Sequence, residues 1–206
     1  RDSFHTGGKQ GTQVSRAVGK SVSLQQLNGA SREEFVSALR PLFNNETWPL
    51  ELAWESRPFG DVNELRAAIQ VAVLTADDSR RAALIHDYPA MDELLLADAD
   101  EAATISADRG SLGLTDLDDV QTERITELSA AYRERFGMPF VAYLDTNDTV
   151  DRVIDAGVRR LANSPEQENR TALGEIVEIA NDRFDILLAD ANPVRSSWDR
   201  KFTEVD

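Results

Sequence analysis

The sequence contains no cysteine, only two histidines, and no long apolar run. Without cysteine, the chain has no disulfides, thiolate nucleophiles or cysteine-type zinc sites. The two histidines, His5 and His86, are too few for a multi-histidine metal centre, so we predict no metal site. No apolar stretch approaches the roughly 20 residues that a membrane-spanning helix needs, which predicts no membrane insertion.

Acidic residues exceed basic ones by 37 to 22, which gives a formal net charge of −15. Nucleic-acid binding requires a basic footprint, so this charge argues against a nucleic-acid partner. The hydrophobic fraction of 41% in 206 residues is enough for one domain with its own core, or for two small ones. We see no pattern of a secretory signal peptide, so we expect a cytoplasmic location.

The two ends of the chain differ in composition from its middle. Residues 1–20 are polar, contain glycine and lack hydrophobic periodicity, which predicts a flexible tail with no role for His5. We expect one helical domain over residues 21–190, with ordered structure beginning near Leu24. Residues 191–206 are polar and are predicted to form a C-terminal tail.

Helix-start signals recur along the middle of the chain. Ser31 and Glu34 have the spacing of a capping box, Asp61 and Glu64 resemble one, and Ser164-Pro165-Glu166-Gln167 is the clearest start. Apolar periodicity predicts further helices over about 79–85, 116–136 and 149–161, with Val120 and Val158 on their buried sides. We therefore predict an all-α, single-domain helical bundle of about seven or eight helices. Residues 90–115 are open to interpretation as a helix, an irregular loop, or both.

The stretch from Ala131 to Leu144 changes character at Gly137. A charged helical pattern ends there, Pro139 follows, and five apolar residues begin at Phe140. This pattern predicts a buried corner, where backbone N–H and C=O groups need partners from the protein or from a ligand.

Two groups of residues together resemble the family of 2-oxo-4-hydroxy-4-carboxy-5-ureidoimidazoline (OHCU) decarboxylases. The first, in the N-terminal half, comprises Leu27-Asn28, Phe35, Trp48, Arg57-Pro58-Phe59 and Leu65. The second comprises Leu128, Ala131-Tyr132, Phe136-Gly137-x-Pro139-Phe140-Val141, Arg160-Leu161-x-Asn163, Glu168, Ala172-Leu173-x-Glu175-Ile176 and Arg183. The resemblance covers roughly residues 24–188.

The resemblance implies an all-α, cofactor-free and dimeric enzyme of urate breakdown, which decarboxylates OHCU to S-allantoin. It also implies an acid/base group beside a proline, backbone contacts to the substrate after the Phe-Pro-Phe element, and an arginine that binds the substrate carboxylate. Val141, Ala142 and Arg183 match the last two features. The implied partner is a small anionic ureido or imidazoline compound, and the implied assembly is a homodimer.

The acid/base position departs from the family pattern. Aligned without gaps, the family's His-Pro pair falls on Tyr88-Pro89, and His86 lies two residues earlier. A proton donor or acceptor placed here is worth about 10²–10⁴-fold in rate. Both His86 and Tyr88 are therefore catalytic candidates, and Pro89 is a candidate substrate contact.

A second departure falls on the segment that holds the substrate's ureido and ring groups. The family's Glu-Gln pair falls on Asp108-Arg109, and its serine on Ile105, beside Ser106. We retain Asp108 as a catalytic candidate and Arg109 as a substrate-binding candidate. Two alternatives stay open: a diverged member whose pocket binds another small anion with or without catalysis, and a helical interaction module.

Overall fold

The computed structural model describes residues 22–97, 117–145 and 147–188, and this part of the chain is helical without strands. The α-helices are α1 (Leu24–Gly29), α2 (Arg32–Leu39), α3 (Trp48–Trp54), α4 (Val62–Thr75), α5 (Asp78–His86), α6 (Met91–Leu96), α7 (Asp119–Phe136), α8 (Val150–Arg160) and α9 (Pro165–Leu187). A short 3-10 helix, Arg40–Leu42, follows α2. The predicted all-α fold is confirmed, with the six-residue helices α1 and α6 accompanying seven longer ones. The predicted domain boundaries stay predictions, because both chain ends lie outside the described residues.

The helix starts follow the capping signals in the sequence. Ser31 accepts a hydrogen bond from the Glu34 N–H, and the Glu34 carboxylate accepts one from the Ser31 N–H at 2.8 Å. Ser164 and Gln167 form the same reciprocal pair at the start of α9. These bonds satisfy backbone donors that the first turn of a helix leaves without partners.

Two residues predicted to be buried are instead exposed. Val120 is 64% exposed and Val158 is 54% exposed. A helix turns by about 100° per residue, so Val120 lies on the far side of α7 from Ile125 and Val158 lies about a quarter turn from Gly157. The predictions were wrong because apolar character alone does not fix the width of a helix's buried face.

Helix α9 lies at the centre of the bundle. It packs against α4, α5 and the 3-10 helix, whereas α7 packs against α6 and α8. Phe35, Leu50, Leu65, Phe140 and Ile176 are fully buried, so residues from both halves of the sequence share one core. The single-domain prediction agrees with this continuous core.

The N-terminal motif residues join the first helices to one another. The Asn28 side chain both accepts from the Phe59 N–H and donates to the Phe59 carbonyl, each at 2.8 Å. The Arg57 guanidinium stacks 4.3 Å from the Trp54 ring and donates to the Ala30 carbonyl at 2.5 Å. These residues therefore stabilise the fold and lie apart from the pocket described below.

Candidate functional site

A pocket lies where the end of α5, helix α6, the segment after α7 and helix α9 meet. Its lining consists of Asn44, Tyr88, Pro89, Met91, Leu94, Val141, Ala142, Ile179 and Arg183. Five sequence-predicted site residues lie in this lining: Tyr88, Pro89, Val141, Ala142 and Arg183. They come from three segments that are far apart in the chain, and the fold brings them together.

Hydrogen bonds to Asp87 fix the position of the backbone immediately before Tyr88. Its carboxylate accepts hydrogen bonds from the Asn45 N–H at 2.6 Å, the Asn45 side-chain amide at 2.7 Å and the Glu46 N–H at 3.2 Å. The Asn44 side chain donates to the Asp87 carbonyl at 3.1 Å. The loop after the 3-10 helix is thereby tied to the end of α5, and Tyr88 is held in the pocket with only 5% of its surface exposed.

Arg183 supplies the positive charge of the pocket. Its Nη1 donates to the Asn44 side-chain oxygen at 3.1 Å and to the Leu42 carbonyl at 3.3 Å. Its guanidinium carbon lies 6.0 Å from the centre of the Tyr88 ring. A guanidinium presents a planar fork of N–H groups, whose geometry matches a carboxylate.

The opposite wall begins where α7 ends. Gly137 adopts the left-handed conformation with φ of 65°, and its N–H bonds the Arg133 carbonyl at 2.9 Å. This conformation favours glycine, which confirms the predicted helix stop. The chain then turns inward, so that Phe140 is fully buried and Val141 is 3% exposed.

A buried polar cluster lies behind this wall. The Glu168 carboxylate is fully buried and accepts hydrogen bonds from the Tyr132 hydroxyl, from the Asn163 side chain at 2.8 Å, and from Arg160 Nε at 2.9 Å. Arg160 Nη1 also donates to the Val141 carbonyl at 2.9 Å. The cluster thus connects α7, α8 and α9 to the backbone of the pocket wall.

The electrostatics of this cluster are set mainly by burial. Burial, and then the charge of Glu175, raise the pKa of the Glu168 carboxyl to about 7. Burial lowers the pKa of the Arg160 guanidinium, an effect that the Glu175 charge opposes. The donors around Glu168 favour its ionised form, because a carboxylate accepts hydrogen bonds from all of them.

Of the other predicted site residues, only His86 is described by the structure, and it does not line the pocket. His86 is the last residue of α5, and its side chain is exposed. Asp108 and Arg109, together with Ile105 and Ser106, lie outside the described residues. In the part of the chain that is described, no group of three or more His, Asp or Glu side chains could hold a metal ion.

Sequence reasoning missed four lining residues and one that supports them. Asn44, Met91, Leu94 and Ile179 line the pocket, and Asp87 holds Tyr88 in place. One signal was available for Ile179, which precedes Arg183 by four residues and therefore lies on the same face of α9. Asn44 gave no such signal, because its place in the site depends on a loop packing against a distant helix end.

Among residues 22–97, 117–145 and 147–188, no helix is both long enough and apolar enough to cross a bilayer. The longest helix, α9, carries charged residues along its length, including Glu168, Glu175 and Arg183.

The chain is similar in sequence to a family of known decarboxylases. The model of the family described as OHCU decarboxylase matches residues 28–185. A 2-oxo-4-hydroxy-4-carboxy-5-ureidoimidazoline decarboxylase of Haloferax volcanii is 38% identical over 165 residues, covering 79% of this chain and 94% of that protein. The protein of the same name from Mus musculus is 33% identical over 181 residues, covering 84% of this chain and 98% of that protein.

Structural comparison supports the same fold. A crystal structure of (S)-allantoin synthase matches with a TM-score of 0.62 at 23% identity, covering 81% of this chain and 54% of that chain. The chain therefore spans about half the length of that solved protein, and the likeness at this identity concerns the fold. From the family match and the relatives above 30% identity, we conclude that the chain belongs to the OHCU decarboxylase family.

Proposed function

We propose that this protein decarboxylates OHCU to S-allantoin in urate degradation, without a cofactor. The observation that supports the proposal is the pocket that Arg183 and Tyr88 line together with Val141 and Ala142.

Decarboxylation requires one group that binds the carboxylate and others that stabilise the negative charge left on the ring. When the carbon–carbon bond to the carboxylate breaks, CO₂ leaves and its bonding electrons stay on the ring. One proton must then reach the ring carbon from a single face to give one stereoisomer of allantoin. Arg183 binds the substrate carboxylate, and backbone N–H groups of the wall stabilise the negative charge that develops on the ring.

Tyr88 is our candidate for the group that handles the proton. It lies in the pocket lining, whereas His86 is exposed on the end of α5. A neutral phenol is a hydrogen-bond donor and a weak acid, so it can deliver a proton to a strongly basic carbanion-like centre. We further propose that Asp108 and Arg109 contact the ureido and ring groups, as the family resemblance implies.

The presence of Tyr88 also favours a second function, which is ligand binding without catalysis. With Tyr88 at the position where the family has histidine, the pocket would bind a small ureido anion without turning it over. In that case Arg183 would still be required for binding, and no acceleration of decarboxylation would be seen.

The deciding experiment supplies OHCU in situ from urate by urate oxidase and the hydrolase, and follows the optical activity of allantoin above the spontaneous background. We expect acceleration by the wild type, with kcat/KM about 10- to 100-fold lower for Arg183→Gln, since a hydrogen bond to a charged group contributes about 1.5–3 kcal/mol. Arg124→Gln is the matched control, because Arg124 forms exposed ion pairs with Asp151 and Asp155.

No acceleration at micromolar protein would exclude the decarboxylase proposal. Calorimetric titration of the same sample with allantoin would then test the binding function, which requires a signal that Arg183→Gln abolishes. We also propose that the protein is cytoplasmic and that it forms a homodimer, the assembly that the resemblance implies. A monomeric mass in light scattering would contradict the dimer.

A further inference from the structure

The wall of the pocket is held from behind by two charged side chains of opposite sign. Arg160 Nη1 donates to the Val141 carbonyl at 2.9 Å, and the Glu175 carboxylate accepts from the Tyr143 N–H at 2.6 Å. Neither Arg160 nor Glu175 is among the residues that line the pocket. Ala142 lies between these two anchored peptide groups, and it does line the pocket.

Because the peptide bond is planar, these two contacts determine the direction in which the Ala142 N–H points. In a trans peptide, the C=O of one residue and the N–H of the next point to opposite sides. Because Arg160 fixes the Val141 carbonyl on its own side of the wall, the Ala142 N–H points away from Arg160. The Glu175 contact fixes the next peptide in the same way, so Ala142 cannot rotate without breaking one of the two bonds.

Arg160 is itself held firmly. Its side chain is only 12% exposed, its Nη2 lies 2.5 Å from the fully buried Glu168 carboxylate, and its guanidinium stacks 5.0 Å from the Phe140 ring. Tyr132 and Asn163 occupy further positions on the same carboxylate. A donor with this support loses little freedom when it orients a backbone carbonyl.

We propose that Arg160 and Glu175 are positioning residues, which aim the Ala142 N–H into the pocket as a hydrogen-bond donor for the substrate. This inference rests on the proposed function and extends it to two side chains that do not touch the substrate. The donor is directed before the substrate arrives, and such preorganisation is what makes a backbone N–H effective against developing negative charge.

Val141–Ala142 and Val71–Ala72 are the two Val–Ala pairs in the sequence, which permits a selective measurement. Protein labelled with ¹³C at the valine carbonyl and ¹⁵N on alanine gives two correlation peaks, for the amides of Ala142 and Ala72. Ala72 lies within α4 and serves as an internal reference. We expect Arg160→Lys and Glu175→Gln to shift the Ala142 peak while the Ala72 peak stays in place.

Steady-state kinetics on the same samples test whether the orientation of the Ala142 N–H affects kcat and KM. If the Ala142 N–H is displaced, the substrate's reacting atoms are misplaced. We therefore expect kcat to fall about 10- to 100-fold in Arg160→Lys and Glu175→Gln. KM should change less than about threefold, since Arg183 still supplies the main ground-state attraction. Arg124→Lys, which alters an arginine with two exposed carboxylate partners, should change neither the Ala142 peak nor kcat.

An unmoved Ala142 peak in the folded variants overturns the proposal, as does a shifted peak with unchanged kcat. If Arg160→Lys fails to fold, Glu175→Gln decides, because Glu175 is only partly buried and the substitution keeps its size. If the wild type itself shows no decarboxylation, the proposed function fails. The peak positions then still decide whether the two side chains orient Ala142.

Discussion

At the scale of single residues, the role proposed for Tyr88 can be tested by one substitution. We expect Tyr88→Phe to reduce kcat by about 10²–10⁴-fold, because the substitution removes the hydroxyl proposed to transfer the proton and keeps the aromatic ring. The measurement is the steady-state rate of allantoin formation, with circular dichroism to confirm the fold. His86→Gln is the comparison. A large loss in His86→Gln together with normal Tyr88→Phe would transfer the proton-handling role to His86.

Tyr143 gives a residue-scale prediction about pH. Its hydroxyl donates to the Asp182 carboxylate at 2.7 Å, and this bond, with smaller effects of burial and of the charges of Asp182, Asp145 and Glu178, raises the pKa of Tyr143 to about 12. A free tyrosine has a pKa of about 10. The folded state therefore holds the phenolic proton more tightly, so this contribution to stability is present below pH 10 and is lost as the pH rises towards 12.

The Tyr143 titration can be followed by phenolate absorbance, taking the difference between the wild type and Tyr143→Phe. We expect Asp182→Asn to lower the midpoint towards 10, since the asparagine carries no charge. An Asp182→Asn midpoint equal to that of the wild type would show that the carboxylate does not hold the proton.

At the scale of elements, α8 packs closely against α7 and the Phe140 ring at Gly157. A Cβ atom placed on Gly157 would lie 2.5 Å from Leu128 Cδ2 and 2.8 Å from the Phe140 ring. Overpacking of this kind typically costs about 1–3 kcal/mol. We therefore expect Gly157→Ala to lower Tm by about 2–4 °C for each kcal/mol lost, as measured by thermal unfolding.

Gly174 provides the matched control for this substitution. It lies inside α9, and a Cβ atom there would meet no other atom within 4 Å. We expect Gly174→Ala to raise stability by about 0.4–1 kcal/mol, because alanine restricts the unfolded chain without straining the helix. Equal effects of the two substitutions would contradict the packing explanation.

At the scale of the whole molecule, the net charge of −15 should make stability depend on salt. The ion pairs of the described residues are mostly exposed, such as Arg32–Glu51 and Arg124–Asp155, and exposed pairs contribute little. Repulsion among the excess carboxylates should therefore dominate. Raising ionic strength from 0.01 M to 0.15 M shortens the screening length from about 30 Å to about 8 Å and should raise Tm at neutral pH.

The control for the salt effect is the same titration at about pH 4.5, close to the pKa of free Asp and Glu side chains, where much of the negative charge is neutralised. The rise in Tm should shrink there. A fall in Tm with salt at neutral pH would instead mean that ion pairs such as Arg66–Asp185 outweigh the repulsion.

The sequence by itself determined the all-α class and several helix ends, including the starts of α2 and α9 and the end of α7. The Ser31 and Ser164 starts and the Gly137 stop are visible in it because capping and left-handed turns depend on residues at most a few positions apart. Val120 and Val158 were misjudged because burial depends on which face meets a neighbouring helix. The family resemblance added Tyr88, Pro89, Val141, Ala142 and Arg183, each of which lines the pocket.

Only the tertiary structure decided what surrounds those residues. It placed Asn44 beside Arg183 and tied Asp87 to Asn45, and it left His86 on the surface. It also placed Arg160 and Glu175 behind the Val141–Tyr143 wall. The physical reason is that these contacts join groups up to about 140 residues apart. Their geometry therefore depends on how whole helices pack, which no local pattern of residues encodes.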